Sequence, residues 1–243
     1  MHEAPPGLLL QGDFHHAGQP LFDGIRLGIE AGKWTCLVGP SGVGKSTLLR
    51  LIADLDTGGE FSGTIVAGDE RPVTARVAYM AQTDLLAPWL DVYENVVLGA
   101  RLRGETPDRA RAERLIARVG LEPHRHKRPA SLSGGMRQRA ALARMLMEDR
   151  PLALLDEPFA ALDARTRSEM QELAHEMLGG RTVVLVTHDP AEAVRLADEI
   201  IIVSAAGLSR YENLEGQPIR AAEAAETLAM QSDLLRRLRE LPQ

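Results

Sequence analysis

The residues with the clearest chemical potential form a glycine-rich run that ends in a lysine and a serine: Gly39, Pro40, Ser41, Gly42, Val43, Gly44, Lys45 and Ser46. The run follows the apolar segment Trp34–Val38, which predicts a buried strand, and precedes a helical pattern over Lys45–Ala53. Glycines let backbone N–H groups turn toward an anion, and a helix N-terminus adds the positive end of its dipole. The run therefore predicts a phosphate-binding loop rather than an ordinary strand–helix turn with an accidental lysine.

Within this loop the side chains have separate expected roles. Lys45 is expected to contact the β- and γ-phosphates of a nucleoside triphosphate, and the Ser46 hydroxyl to coordinate Mg²⁺. Thr47, which follows them at the start of the predicted helix, is included in the nucleotide-binding set.

A second candidate group is a pair of carboxylates at the end of an apolar segment. Leu152–Leu155 predicts a buried strand, and Asp156 and Glu157 follow it directly. Ligands of nucleotide-binding sheets lie at the carboxyl ends of the strands. We expect Asp156 to hold Mg²⁺ through water and Glu157 to polarise the water that attacks the γ-phosphate. The alternative is a capped strand with a solvated acidic turn.

Composition excludes several other classes of protein. The 243 residues carry 28 basic and 34 acidic side chains, a net charge of −6, which argues against a direct nucleic-acid binder. There is no run of roughly 18 apolar residues, as a membrane span requires, and no secretory leader is expected in residues 1–30. The single cysteine, Cys36, is typical of a reducing cytoplasm. Lysine is rare, since only Lys33, Lys45 and Lys127 occur.

The apolar pattern along the chain predicts an α/β protein, because short strand-like runs alternate with helix-like segments. Half-exposed strands are expected around Leu27 and Ile29 and around Thr64 and Val66. Further buried strands are predicted over Val77–Met80, Thr182–Thr187 and Glu199–Val203, and helices over Asp91–Leu102, Pro107–Val119 and Met136–Met147. The region between residues 84 and 150 thus predicts a helical subdomain inserted into a parallel-sheet core.

The order Asp189-Pro190-Ala191-Glu192 predicts a helix start, in which the Asp189 side chain caps the helix and the Glu192 side chain accepts from the Asp189 N–H in return. An amphipathic helix is expected after Ala221.

The motif that identifies the family is Leu132-Ser133-Gly134-Gly135-Met136-Arg137-Gln138-Arg139. By itself it could be an ordinary helix capped by Ser133. Its position inside the helical insertion, with Arg139 17 residues before Asp156, makes the chain resemble the ATP-binding subunits of ABC transporters over about residues 8–210. The resemblance implies that Ser133, Gly134 and Gly135 bind the γ-phosphate held by the opposite subunit, so that the working unit is a homodimer with two ATP molecules at its interface.

The same resemblance implies a fold and a division of the chain. The fold is that of a P-loop NTPase (RecA-like), with a parallel-sheet core, an N-terminal antiparallel β subdomain and an inserted α-helical subdomain. Residues 1–243 would be one ABC ATPase domain. Residues 8–82 and 151–210 would form the nucleotide-binding core, 83–150 the helical subdomain and 211–243 a helical tail.

Other residues take their expected roles from the resemblance. Gln82 resembles the glutamine that contacts Mg²⁺ and the attacking water, and His188 resembles the histidine that contacts the γ-phosphate. Ala161-Leu162-Asp163 resembles the loop that crosses the dimer interface, although the family usually has serine where this chain has Ala160. The spacing of the family's adenine-stacking aromatic residue falls on His16, close to Phe14 and His15.

The resemblance also implies partners and a mechanism. ATP binding closes the dimer and hydrolysis opens it, which drives two separate membrane-spanning permease subunits from the cytoplasmic face of the inner membrane. A periplasmic or lipoprotein solute-binding protein would act indirectly. Exposed Leu86 and Trp89 are expected to line the groove for a permease helix, the alternative being that they pack inside the helical subdomain.

The chain is most similar in form to the nitrate, sulfonate and taurine group of importers, on account of Met136 and the run Leu85-Leu86-Ala87-Pro88-Trp89. Within that group, residues 79–86 and 147–151 look most like subunits for uptake of hydroxymethylpyrimidine, a thiamine precursor. Export remains open. A soluble, non-transport ABC ATPase would need a long coiled coil or tandem cassettes, and other P-loop kinases or GTPases have no reason to carry Leu132–Arg139.

Overall fold

The computed structural model describes residues 4–241, which fall into two compact units. The strands are β1 Leu8–His16, β2 Gln19–Ile29, β3 Trp34–Val38, β4 Glu60–Ala67, β5 Val77–Met80, β6 Leu152–Asp156, β7 Thr182–Val186, β8 Glu199–Ser204 and β9 Gly207–Tyr211. The α-helices are α1 Lys45–Ile52, α2 Val92–Val96, α3 Leu98–Leu102, α4 Arg109–Arg118, α5 Gly134–Met147, α6 Ala164–Met177, α7 Pro190–Leu196 and α8 Ala225–Arg239. The α/β class predicted from the sequence is confirmed.

Among the described residues, the first unit comprises 4–77, 151–156 and 180–241. Its main sheet has the order β6-β7-β3-β8-β9, in which β9 alone runs antiparallel to its neighbour. Every residue of β3, β6 and β7 is buried, which explains why these strands are mostly apolar, with one polar residue in each, namely Thr35, Asp156 and Thr182. The carboxyl ends of β3, β6 and β7 therefore lie at one edge of the sheet, where the predicted nucleotide residues follow them.

The N-terminal strands form a separate antiparallel sheet in the order β2-β1-β4. Burial alternates along β2, where Ile25, Leu27 and Ile29 are buried and Arg26 is exposed. The antiparallel β subdomain implied by the family resemblance is therefore present.

The second unit comprises residues 78–150 and 157–179 and is helical beyond β5. The sequence-based division placed residues 157–179 with the nucleotide-binding core, whereas contacts group them with the helical unit. The reason is that α6, which follows Glu157, packs against α5.

The single helix predicted over Asp91–Leu102 is wrong, because the chain forms two short helices that meet at Val97. The first is started by a capping box in which Asp91 accepts from the Glu94 N–H and Glu94 accepts from the Asp91 N–H. Two adjacent β-branched residues, Val96 and Val97, and then Gly99 lower the helix propensity at the junction.

The C-terminal segment belongs to the first unit and centres on Tyr211, at the end of β9. Its buried ring lies under the Arg237 guanidinium, 5.1 Å from ring centroid to Cζ, and its hydroxyl donates to Asp233 Oδ2 at 2.8 Å. These contacts attach α8, the helix predicted after Ala221, to the edge strand. Within residues 4–241, no helix is long and apolar enough to span a bilayer.

We expect Tyr211 to titrate far above the usual range, since burial and the bond to Asp233 raise its pKa to about 12. The folded state therefore favours the neutral phenol. Its contribution to stability is complete below the unfolded pKa, about 10, and is lost as the pH rises through about 12. Ultraviolet titration of phenolate, with Tyr211→Phe identifying the signal, checks this. Asp233→Asn is expected to lower the pKa, and titration of Tyr211 near the ordinary value would contradict the assignment.

Candidate functional site

The glycine-rich run forms the connection between β3 and α1. Gly39 passes so close to β8 that a Cβ built on it would lie 2.1 Å from the Val203 carbonyl oxygen. Gly44, the residue before α1, has φ of 98°, and a Cβ there would lie 2.3 Å from Phe22 Cζ. Among the described residues, no side chain caps the N-terminus of α1, and its first turn holds no acidic residue. The loop and helix end thus present backbone N–H groups that suit an anion.

Lys45 is the buried cation of this loop. Its side chain is 6% exposed, and Nζ donates to the carbonyl oxygens of Gly39 at 2.8 Å and Pro40 at 2.7 Å. A buried ammonium group is costly unless it is hydrogen-bonded, so the loop carbonyls fix its position. Of the other loop residues, Ser41 is exposed and Val43, Ser46 and Thr47 are half-buried.

Ser46 and Asp156 form the candidate metal site of the first unit. The Ser46 hydroxyl donates to Asp156 Oδ1 at 2.9 Å, and Asp156 is buried at the end of β6. The donors are a hydroxyl and a carboxylate, the oxygen ligands that Mg²⁺ takes from proteins beside phosphate oxygens and water. Within residues 4–241, no cluster of three or more His, Cys, Asp or Glu side chains could hold a metal by itself. The residues fit Mg²⁺ held jointly with a nucleotide.

His188 is exposed and lies two residues after Val186, the last residue of β7, close to the strand end predicted at Thr187. The residues beside it are fixed by hydrogen bonds: the Thr187 hydroxyl donates to buried Glu192 Oε2 at 2.7 Å and accepts from the Asp189 N–H at 3.1 Å. The helix start at Asp189 is confirmed, since its carboxylate accepts from the Ala191 N–H. The reciprocal cap is wrong, because Thr187 occupies the Asp189 N–H and takes Glu192 as its acceptor.

Gln82 and Glu157 meet in the second unit, although they are 75 residues apart in the chain. Gln82 Nε2 donates to Glu157 Oε2 at 3.3 Å. Glu157 has φ of 47°, a backbone conformation that is uncommon for residues other than glycine and concentrates at functional positions. The two residues given adjacent catalytic roles by the family resemblance are therefore in direct contact.

The signature residues lie at the N-terminal end of α5, in the second unit. Ser133 is the N-cap, and its Oγ accepts from the Met136 N–H at 3.2 Å. Ser133 and Gly134 are exposed, while buried Gln138 donates from Nε2 to the Pro158 carbonyl at 3.0 Å. The local capping role is present, and the exposed helix end leaves the segment accessible to a second molecule.

The loop before α6 contains the residues that resemble the interface-crossing loop. Ala160 and Ala161 are exposed and Leu162 is buried. Asp163 is the N-cap of α6. Its carboxylate accepts a hydrogen bond from the Thr166 N–H at 3.0 Å, and this bond lowers the pKa of the carboxyl group. The loop therefore exposes small residues between two anchored positions.

His16, the candidate adenine contact, is the last residue of β1 and pairs with Gln19 across the hairpin. It is exposed, so its ring is accessible for stacking, whereas Phe14 is buried in the sheet. Its role stays a prediction.

The expectation that Leu86 is exposed is wrong. Leu86 is 8% exposed, whereas Leu85 is 63% and Trp89 is 70% exposed. The reason is a turn in which the Leu86 N–H donates to Asp84 Oδ1 and Leu85 takes a left-handed φ of 46°. The apolar surface after Gln82 is thus formed by Leu85 and Trp89.

Sequence reasoning gave no role to two arginines of α5, Arg137 and Arg144, which hold the segment after Gln82. It also missed buried Asn95, which fixes the same segment through bonds with Ala87, Leu90 and Asp91. Asn95 interrupts the buried apolar face of α2, which was an available signal, whereas Arg137 and Arg144 lie outside the buried face of α5.

Comparison with known proteins agrees with this geometry. The ABC transporter family model matches residues 22–160, more than half of the chain. The chain is 42% identical to an uncharacterised ABC transporter ATP-binding protein of Haemophilus influenzae, over 91% of this chain and 93% of that protein. It is also 42% identical to an aliphatic sulfonates import ATP-binding protein, SsuB, of Rhodopseudomonas palustris, over 88% of this chain and 76% of that protein.

Among solved structures, the chain is similar to a dimeric ATP-binding cassette in a post-hydrolysis state bound to ADP and Pi. The TM-score is 0.76 at 29% identity, and the match covers 86% of this chain and 99% of the other. A second dimeric structure of that same bacterial cassette matches with a TM-score of 0.74 at 28% identity, covering 86% of this chain and 99% of the other. With the phosphate loop, the acidic strand end and the signature helix, these matches establish that the chain belongs to the ABC transporter ATP-binding family and is an ATPase.

Proposed function

We propose that the chain is the ATP-hydrolysing subunit of an importer that works at the cytoplasmic face of the inner membrane. Two copies would bind two permease subunits, and a solute-binding protein would deliver the cargo. The proposal rests on the presence of two groups of residues in one chain. Lys45, Ser46 and Asp156 belong to the first unit, and Gln82 and Glu157, which are hydrogen-bonded to each other, belong to the second. The import direction rests on relatives named for import, which are 39–45% identical to this chain.

Dimerisation follows from the separation of roles along the chain. The exposed signature end, Ser133 to Gly135, would contact the γ-phosphate of an ATP held by the partner subunit's phosphate loop. One similar cassette is a dimer in two solved structures, one of them with ADP and Pi bound. Exposed Ala160 would lie at the interface without the hydroxyl that the family usually has there.

The mechanism assigns one task to each side chain. Lys45 would neutralise charge on the β- and γ-phosphates, and loop N–H groups would hold the remaining oxygens. Glu157 would accept the proton of the attacking water, which Gln82 would orient. His188 would contact the γ-phosphate, while Thr187 and Glu192 hold its backbone in place. His16 would stack on adenine.

Mg²⁺, when bound, would offset negative charge on the phosphate oxygens. Ser46 and Asp156 would hold it, with Gln82 as a further oxygen ligand, and Asp156 would act through water.

For the cargo, we favour the group of small organic anions represented by aliphatic sulfonates, because that word recurs in the names of similar chains. Uptake of hydroxymethylpyrimidine, suggested by residues 79–86 and 147–151, is the second candidate. The ATPase does not contact the cargo, so its own residues cannot discriminate between the two.

The test begins with mild-detergent purification of the chain from native membranes and mass spectrometry of bound proteins. We expect a multi-span permease. That permease, this chain and the matching solute-binding protein are then reconstituted in vesicles, and ATP-driven uptake of a sulfonate and of hydroxymethylpyrimidine is measured. Sulfonate uptake supports the favoured cargo, and pyrimidine uptake the second. Outward transport without a solute-binding protein, or a chain with no membrane partner, would overturn the importer proposal.

A further inference from the structure

Two arginines of α5 hold the segment that follows Gln82. Arg144, on the third turn, donates from Nη2 to the Asp84 carbonyl and from Nη1 to the Leu85 carbonyl, both at 2.7 Å. Arg137, on the first turn, donates from Nε to Asp84 Oδ2 at 2.9 Å and from Nη1 to the Leu132 carbonyl at 3.0 Å. The backbone and side chain of Asp84 are therefore both bound to α5.

The Arg144 contact is demanding in its geometry. One planar guanidinium group bridges two consecutive carbonyl oxygens, which a lysine ammonium group would not reproduce. Between them lies Leu85 with φ of 46°, a conformation that persists only where the surroundings impose it. Desolvation of the half-buried guanidinium lowers the pKa of Arg144, and the nearby Asp84 and Glu148 carboxylates oppose that shift. The bridge thus fixes a strained turn two residues beyond Gln82.

The Arg137 contact joins the same turn to the signature. Arg137 lies four residues after Ser133, and its second bond is to the carbonyl of Leu132, which precedes Ser133. Movement of the N-terminal end of α5 would therefore carry Asp84 with it.

A third contact connects α5 to the other catalytic candidate of the unit. Buried Gln138 donates to the carbonyl of Pro158, the residue after Glu157, and Glu157 accepts from Gln82. One helix thus holds the chain on both sides of the Gln82–Glu157 hydrogen bond.

We propose that Arg137 and Arg144 are positioning residues that couple the two ATP sites of the dimer. When the N-terminal end of α5 contacts the partner's ATP, the two guanidinium groups transmit its displacement through Asp84 to Gln82, which serves the chain's own site. The inference rests on the proposed function for the roles of Ser133 and Gln82. Both arginines would act through Asp84 and Gln82, so they are positioning residues and not catalytic ones.

The test uses the full chain with Mg²⁺ and ATP and compares Arg144→Lys with Arg111→Lys. Arg111 is a matched control, because its guanidinium group also bridges two oxygen acceptors of the same unit, in this case Asp149 Oδ2 and Leu146 O, both at 3.0 Å. We expect Arg144→Lys to lower kcat about tenfold, to change the KM for ATP less than twofold and to reduce the Hill coefficient from above 1 to about 1. Arg111→Lys should leave all three unchanged.

A double-mutant cycle on Asp84→Asn and Arg137→Gln measures the second contact without depending on Arg144. The double variant should show about the same fall in the Hill coefficient as either single variant, because each change removes the same Asp84–Arg137 contact. Equal parameters for Arg144→Lys and Arg111→Lys would overturn the inference. The inference would also be overturned if kcat fell only in proportion to a lower Tm while the Hill coefficient stayed at the wild-type value. A Hill coefficient of 1 in the wild-type protein would overturn it as well.

Failure of the proposed function is recognised separately. Wild-type ATPase activity that is insensitive to Glu157→Gln would refute the assignment of the site itself. Sensitivity to Glu157→Gln, together with an Arg144→Lys variant that behaves as wild type, refutes only the coupling.

Discussion

Glu157→Gln is expected to lower ATP turnover by about 10²- to 10⁴-fold, the usual contribution of a positioned general base. The amide has nearly the same size as the carboxylate and keeps an oxygen that can accept from Gln82 Nε2, now at 3.3 Å. It cannot accept the proton of the attacking water. The left-handed φ of 47° at this position is no harder for glutamine than for glutamate, so the fold should not change.

The same variant should trap the ATP-bound dimer, because opening of the dimer depends on hydrolysis. Phosphate release measures the turnover, and light scattering with Mg²⁺ and ATP measures the association. Glu169→Gln is the control, since Glu169 is an exposed acidic side chain of the same unit that pairs only with Arg165 among the ion pairs described. A monomer under these conditions would count against paired sites, and undiminished hydrolysis would remove Glu157 from the general-base role.

The buried strands could be predicted from the sequence because their physical cause is local. The strand β3 was predicted at its observed bounds, and β6 and β7 to within one residue, since all five positions of each are buried and four of the five are apolar. The strand β5 also has its predicted bounds.

Elements at sheet edges and in the helical unit were harder to predict. The edge strand β9 has two exposed residues among five, so its apolar pattern is weak. Leu86 was expected at the surface because a pair of leucines gives no sign that one of them has a left-handed backbone conformation. With φ of 46° at Leu85, Leu85 is exposed and Leu86 is buried. The order of the short strands could not be derived from periodicity at all.

The candidate site shows the same distinction between local and distant causes. The phosphate loop is a contiguous motif and could be recognised from the sequence, whereas the close approaches of Gly39 to Val203 and of Gly44 to Phe22 depend on the folded chain. The bonds from Arg144 to Asp84 and from Gln82 to Glu157 join residues 60 and 75 positions apart. A single sequence carries no signal for such pairs, because many arginines and glutamines have equally suitable neighbours.

Lys45→Ala is expected to weaken binding of ATP by about 10- to 100-fold. A hydrogen bond to a charged group contributes about 1.5–3 kcal/mol, which corresponds to that range of affinity, and Lys45 is the cation of the loop. Its ammonium group is now held by the Gly39 and Pro40 carbonyls at 2.8 and 2.7 Å, within the loop that would receive the phosphates. Titration with a fluorescent ATP analogue, in the presence of Mg²⁺, measures the change.

The alanine variant also leaves two loop carbonyl oxygens without this donor, so a loss of affinity could come from a loosened loop rather than from lost charge. Lys45→Arg separates the two causes, because it keeps the positive charge but not the compact ammonium geometry that fits between the two carbonyls. Lys33→Ala is the matched lysine control in the same unit, since Lys33 is exposed and pairs with Glu30. If charge dominates, Lys45→Arg retains part of the affinity for ATP while Lys45→Ala loses it at unchanged Tm. Unchanged affinity in Lys45→Ala would refute the phosphate-loop assignment.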